Sequence, residues 1–134
     1  EVKIGRRKAR FIIDTGASQT LISKKFAHDL GVEVDGMEQD NLTIGIGEGS
    51  LSPELTIIDR MKIKELTIEN LPCIVLSLDH INSTYKSLGH KEIHGIIGSD
   101  FLYALDCEIF IRKQILTLNS KSKVFDFEGW MNYV

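Results

Sequence analysis

Proline and cysteine are scarce in this sequence, with two of each among 134 residues. Pro53 and Pro72 interrupt little of the chain, and closely spaced glycines and β-branched residues predict mostly strands joined by turns. Cys73 and Cys107 each lie in an apolar stretch, which favours small buried side chains over a disulfide framework. The two cysteines therefore leave the redox compartment open.

Long hydrophobic runs and an excess of positive charge are also lacking. No apolar run approaches the roughly 20 residues of a membrane-spanning helix, and a net charge of −3 leaves no basic stripe for nucleic acid. We expect one water-soluble domain, 1–134, with residues 120–134 as a C-terminal extension. Because Glu1 is not an initiator methionine, we expect a piece of a longer or processed chain, export being one option; the localisation stays unassigned.

The apolar pattern predicts strands ahead of a short helix. Val2–Ile4 and Ala9–Ile13 form a predicted hairpin that ends at Asp14. Apolar residues at helical spacing predict a helix over Ser23–Leu30, which Gly31 would stop.

Strands and two further helical segments are predicted for the rest of the chain. Leu71–Leu78 is apolar enough for a central strand, and Asp79–Ile93 predicts a short helix or a long loop. Ser99 is the predicted N-cap of a helix through about Leu105. A last hairpin is predicted from Cys107–Ile111 and Ile115–Leu118.

Two motifs end apolar strands on a tight turn. Asp14-Thr15-Gly16-Ala17-Ser18 directly follows Phe11-Ile12-Ile13, and it puts an acid, a hydroxyl and a glycine where a catalytic carboxylate would sit. Far downstream, Gly95-Ile96-Ile97-Gly98 runs into Ser99-Asp100-Phe101-Leu102. Between the motifs, the stretch Leu42–Leu51 turns through three alternating glycines, which predicts a hairpin with a mobile tip.

This ordered set of segments resembles the retropepsin-like aspartic proteases. The resemblance implies an all-β fold, a closed acid-protease barrel with a flap hairpin and one or two short helices. Asp79–Ile93 is longer than the compact connection of retroviral members, so the chain looks closer to cellular and bacterial ones. Retroviral members also carry a strand before the first hairpin and stop soon after the second motif's helix, whereas this chain continues for some thirty residues.

The resemblance also implies roles for single residues. Asp14 would be the catalytic acid, with Thr15 and Gly16 supporting the active-site loop. The implied substrate-binding positions are Ala17, the flap residues Ile44, Gly45, Ile46 and Gly47, and Ile97. Pockets lined by the three isoleucines would prefer apolar side chains.

A single Asp-Thr-Gly supplies only one carboxylate, so a complete dyad would need a homodimer in which Asp14 meets its own copy. The pair would share a proton and activate a water that hydrolyses a peptide or protein substrate, which requires neither a metal nor a cofactor. The apolar tail Val124–Tyr133 is one candidate for the dimer contact; equally, it packs on its own subunit.

Several residues also admit plainer interpretations. Asp14 could be only a turn residue that caps local N–H groups. The glycine-rich stretch lacks the Lys-Ser/Thr that a phosphate loop requires. His90 and His94 have zinc-like spacing only if helical, and glycines bracket them, so surface histidines are favoured.

Asp100 and Ser18 are the remaining candidates for catalysis. Asp100 fits a helix N-terminus, where the dipole favours a carboxylate, so a structural role is predicted. Ser18 with His28 or His94 lacks the Gly-x-Ser-x-Gly pattern of a serine hydrolase. For the whole chain, the alternative to an aspartic endopeptidase is a retropepsin-like dimerisation or peptide-binding module with weak or no proteolysis.

Overall fold

The computed structural model describes residues 1–36, 54–119, 121 and 123–131. The helices are α1 (Lys24–Leu30), α2 (Asp79–Ser87), α3 (Ser99–Ala104) and α4 (Phe127–Met131). The strands are β1 (Val2–Ile4), β2 (Arg7–Ala9), β3 (Phe11–Ile13), β4 (Leu21–Ser23), β5 (Asp35–Gly36), β6 (Glu54–Ile63), β7 (Leu66–Leu76), β8 (Gly95–Ile97), β9 (Cys107–Phe110), β10 (Ile115–Leu118) and β11 (Lys123–Val124).

The first hairpin forms where the sequence predicts it. β1 and β2 pair antiparallel, with Val2 opposite Ala9, and the turn between them contains Gly5 at a φ of 59°. A residue with a side chain rarely adopts that conformation, which explains the glycine. Val2, Ile4 and Ala9 alternate toward the core, and β3 follows directly.

Helix α1 is bounded by the expected residues. The Phe26 amide donates to Ser23 Oγ at 3.0 Å, which caps the helix start. Gly31 ends the helix at a φ of 69°, in the left-handed conformation typical of a C-cap. The prediction of a helix over Ser23–Leu30 is therefore confirmed, with Ser23 as the cap rather than a helical residue.

The largest sheet curls back toward itself. Among the described residues, nine strands form it, and seven follow the order β2-β1-β6-β7-β4-β8-β3, while β5 pairs with β6 and β11 with β7. The two end strands, β2 and β3, are separated in sequence by Arg10 alone. The result is a nearly closed barrel, which confirms the predicted all-β fold. The described residues contain four short helices, however, rather than one or two.

A second, two-stranded sheet lies outside this barrel. β9 and β10 pair antiparallel from Cys107 opposite Leu118 to Phe110 opposite Ile115, as the pattern predicts. β7 extends the predicted central strand Leu71–Leu78 backward to Leu66 and ends it at Leu76.

The hydrophobic core joins the barrel to helices α1 and α3 and to the tail. Phe101 stacks on Phe125 with ring centroids 6.3 Å apart, and Phe125 and Trp130 are both buried. Of the two alternatives for the tail, these residues therefore pack on their own subunit. Buried side chains of this core include Ile22, Phe26, Ile58, Met61, Ile68, Leu71, Ile74, Phe101, Leu105, Phe125 and Trp130.

One predicted cap is wrong. Gly98, in an extended conformation, is the N-cap of α3, and Ser99 is the first helical residue. No side chain caps the helix start, and the Ser99 hydroxyl donates instead to the carbonyl oxygen of Thr15 at 3.0 Å, a contact across 84 residues of sequence.

Candidate active site

Asp14 lies at the end of β3, and the adjacent strand β8 holds its backbone. β3 and β8 run parallel, with Ile13 opposite Ile97. The next hydrogen bond along the pair runs from the Asp14 amide to the Ile97 carbonyl at 3.0 Å. The two motifs of the sequence therefore meet at the same edge of the sheet, where Asp14 is exposed.

The turn after Asp14 orients its side chain. The Gly16 amide donates to Asp14 Oδ1 at 2.8 Å, and the Ala17 amide donates to the Asp14 carbonyl at 3.2 Å. A Cβ on Gly16 would lie 3.2 Å from Asp14 Oδ1, so a small residue keeps room for the carboxylate. The main chain thus holds one carboxylate in a defined direction while leaving it open to solvent.

The loop that carries Asp14 interlocks with the loop before α3. Besides the bond from the Ser99 hydroxyl to Thr15, the Ser99 amide donates to the Ala17 carbonyl at 2.8 Å. A Cβ on Gly98 would come within 2.5 Å of the Gln19 backbone. Only glycine permits this close approach, which explains why the second motif contains Gly98.

Asp100 supports these loops from inside the core. It is 1% exposed, and Oδ1 accepts hydrogen bonds from the Thr20 hydroxyl and the Phe101 amide, both at 2.8 Å. Oδ2 accepts one from Trp130 Nε1 at 2.6 Å. The predicted structural role of Asp100 agrees with these contacts, but the sequence gives no signal for Thr20 or Trp130, since neither belongs to a recognisable motif.

The other predicted site residues differ in exposure. Ala17 is half-buried. Ile97 is 4% exposed, and its main-chain carbonyl accepts from the Asp14 amide. Substrate contact by either side chain stays a prediction. The flap positions Ile44, Gly45, Ile46 and Gly47 lie outside the described residues.

An open apolar groove adjoins Asp14. Its walls come from β3 and from the β9–β10 hairpin, whose Ile111 is 83% exposed. The side chains that line it are those of Ile13, Asp14, Thr15, Ile109, Phe110, Ile111, Gln114, Ile115 and Leu116. Most of the side chains around this one carboxylate are therefore apolar.

The cysteines and His94 have electrostatic settings of their own. Burial and, to a lesser extent, Asp100 raise the pKa of Cys73 well above its usual range, and burial with Asp106 raises the pKa of Cys107 to about 11. Both thiols are free, as predicted, and protonated at neutral pH. Burial lowers the pKa of His94, whose Nδ1 accepts from the Arg10 amide at 2.9 Å.

The described residues contain neither a metal-binding cluster nor a membrane-spanning helix. No three His, Cys, Asp or Glu side chains converge there as a metal-binding group. No helix in this part of the chain is long and apolar enough to cross a membrane.

The barrel is nearly closed, and Asp14 lies on a turn after β3 that is hydrogen-bonded to the loop before α3. This arrangement is that of the retropepsin-like class of folds. The family model for aspartyl proteases matches residues 1–101. The chain therefore belongs to the aspartyl protease family, which confirms the resemblance seen in the sequence.

Two solved structures are similar to this chain, and the first of them supports the fold. The retroviral protease-like domain of Ddi1 from Leishmania major superposes with a TM-score of 0.54 at 17% identity, covering 89% of this chain and 85% of that one. A retropepsin-like aspartic protease from Rickettsia conorii has a TM-score of 0.49 at 19% identity, covering 86% and 75%. No curated protein matches the sequence.

Proposed function

We propose that this chain is an aspartic endopeptidase whose catalytic dyad consists of Asp14 from each of two subunits. Family membership supports the general function, and the observation that carries the dyad is the placement of Asp14. This carboxylate is exposed and oriented by the Gly16 amide, and the Asp14 backbone amide donates to the Ile97 carbonyl, which anchors the main chain. The sequence contains one Asp-Thr-Gly, so a second copy must supply the other acid.

The chemistry follows from bringing two like charges together. Two carboxylates a hydrogen bond apart cannot both ionise cheaply, so the pair shares one proton and titrates as a unit. The ionised member removes a proton from a bound water, which attacks the peptide carbonyl. The protonated member hydrogen-bonds the carbonyl oxygen, and a proton then passes to the leaving amine.

The groove beside Asp14 supports a location for the second subunit. If two copies of Asp14 meet, the two-fold axis passes beside them, and residues that share a groove with Asp14 lie near that axis. Those residues belong mainly to the β9–β10 hairpin, which is apolar and exposed. An apolar centre is typical of homodimer interfaces. We therefore place the dimer contact at this hairpin rather than at the tail.

Cleavage of a diverse peptide library tests the proposal. We expect activity over roughly pH 4 to 7, with a maximum between the two apparent pKa values of the dyad. Asp14→Asn should reduce the rate by about 10²- to 10⁴-fold, the usual contribution of an acid–base group, and leave assembly intact. Asp59→Asn changes another exposed carboxylate, on β6, and should leave the rate unchanged.

Two results would contradict the proposal. Cleavage that survives Asp14→Asn would assign the chemistry to another group. Peptide binding and dimerisation without cleavage at any pH would favour a binding module with the same fold.

A further inference from the structure

Trp130 is a tail residue with an unexpectedly central position. It lies on α4, beyond residues 1–101 that the family model matches, and it is the only tryptophan in the sequence. Its side chain is 1% exposed. A residue from the end of the chain is thus enclosed in the same core as the loops that carry the site.

Within the described part of the chain, the indole makes one polar contact, and that contact is to Asp100. Nε1 donates to Asp100 Oδ2 at 2.6 Å, while Oδ1 is occupied by the Thr20 hydroxyl and the Phe101 amide. Three donors around one buried carboxylate fix its rotation, because turning it would break charge-assisted bonds that water cannot replace. Trp130 therefore helps to fix the plane of the Asp100 carboxylate, and with it the position of the oxygen that accepts from Thr20.

Thr20 passes this orientation on to the loop before α3. Its hydroxyl hydrogen is used by Asp100, so a lone pair of Oγ1 is directed at the Gly98 amide, which donates to it at 3.1 Å. A hydroxyl both donates and accepts only along defined directions. The position of the Gly98 amide is therefore tied, through two side chains, to the indole of Trp130.

Gly98 stands between two of the hydrogen bonds that hold the Asp14 loop. On one side, the Ile97 carbonyl accepts from the Asp14 amide, and on the other, the Ser99 amide donates to the Ala17 carbonyl. Movement of Gly98 would displace both neighbours, and with them the backbone of Asp14.

We propose that Trp130 is a positioning residue for Asp14, so that helix α4 completes the active-site scaffold through the buried chain Trp130, Asp100, Thr20 and Gly98. The catalytic part of this inference rests on the proposed protease function. Its structural part, that the indole N–H fixes the Asp14 loop, does not.

Trp130→Phe tests the inference, because it removes the N–H and keeps most of the apolar bulk. We expect kcat to fall by about 10-fold or more with little change in KM, since small displacements of a catalytic group cost large factors in rate. Phe125→Leu is the matched control: it also trims a buried tail ring in contact with Phe101, but leaves the hydrogen bonds intact. It should lower the melting temperature without lowering kcat.

A second pair of variants tests the same hydrogen-bond network at Thr20. Thr20→Val removes the hydroxyl and should reduce kcat as Trp130→Phe does, whereas Thr20→Ser keeps the hydroxyl and should restore most of it. In the double variant Trp130→Phe/Thr20→Val, the two losses should be clearly less than multiplicative, since both break one network. Multiplicative losses, or equal kcat in Trp130→Phe and Phe125→Leu, would overturn the inference.

Amide hydrogen exchange gives a readout that does not depend on proteolysis. In Trp130→Phe, the amides of Gly98, Ser99 and Asp14 should exchange faster than in Phe125→Leu at equal overall stability. In Thr20→Val, the single indole N–H resonance should shift. If the wild type cleaves nothing, the proposed function fails, yet these results still decide the structural part: unchanged exchange at the three amides refutes it.

Discussion

Among single residues, Gly98 carries a steric constraint that the sequence motif alone does not explain. Gly98→Ala would place a Cβ within 2.5 Å of the Gln19 backbone and 2.9 Å of the Ala17 carbonyl. Neither is the end of a flexible side chain, so a loop must move. We expect the free energy of unfolding to fall by about 1–3 kcal/mol, the usual range for overpacking, together with a loss of cleavage.

Chemical denaturation measures this change, with Gly36→Ala as the control. Among the described residues, no atom lies within 4 Å of a Cβ at Gly36, so that variant should stay within about 0.5 kcal/mol of the wild type. Equal stability of the two variants would show that the loops are not packed as closely as described.

His94 makes the stability depend on pH. Burial lowers its pKa below 6.5, and its Nδ1 is an acceptor for the Arg10 amide, so the folded chain favours the neutral ring. As the pH falls through 6.5, His94 binds a proton more readily in the unfolded chain than in the folded one. Stability therefore decreases as the pH decreases, until the pH reaches the pKa of His94 in the folded chain.

His94→Asn keeps an acceptor for that amide but removes the titration. The melting temperature should drop more between about pH 7.5 and about pH 5.5 for the wild type than for the variant. Identical slopes would mean that His94 titrates alike in both states.

At this scale, the sequence predicts the residues that act locally. Asp14 and Gly16 are two residues apart in one motif, and a hydrogen bond joins them directly. Thr20 and Trp130 are not predictable in the same way, because their roles depend on contacts to Asp100 across 80 and 30 residues. Ser99 is misassigned for the same reason.

Among the secondary-structure elements, the β9–β10 hairpin has the clearest consequence for assembly. Ile111, at its turn, is 83% exposed and lines the groove beside Asp14. Ile111→Lys would put a charge at the centre of the proposed dimer contact, where desolvating it without a partner is costly. We expect the dimer to dissociate and cleavage to fall by about 10-fold or more at a fixed protein concentration.

Sedimentation equilibrium with circular dichroism separates this effect from misfolding. Leu88→Lys is the control, since Leu88 is a 66% exposed apolar residue at the end of α2, away from the groove lining. It should leave assembly and activity intact. A dimer that survives Ile111→Lys would place the contact elsewhere.

The elements themselves are largely predictable, but their packing is not. Two short apolar stretches predict the β9–β10 hairpin, and helical spacing followed by Gly31 predicts α1. The apolar tail has the same composition whether it covers its own core or a partner subunit, so the sequence alone does not predict which of the two it contacts. The stacking of Phe125 on Phe101 comes from tertiary contacts alone.

For the molecule as a whole, the proposed site exists only in a pair of subunits. Each subunit supplies one carboxylate, so activity should rise with the square of protein concentration while monomers prevail, and linearly once dimers do. Initial rates over a dilution series check this. A linear dependence throughout, with monomers present by sedimentation, would mean that one subunit suffices.

Subunit mixing decides whether two copies of Asp14 form one site. Inactive Asp14→Asn protein is added to a fixed amount of wild type under dimer-forming conditions, and cleavage is followed after exchange. Random pairing predicts that an equal amount of variant lowers the activity to about half, whereas Asp14→Asn/Ile111→Lys, which cannot pair, leaves it unchanged. Activity unaffected by Asp14→Asn would contradict the shared dyad, because each wild-type subunit would then be working alone.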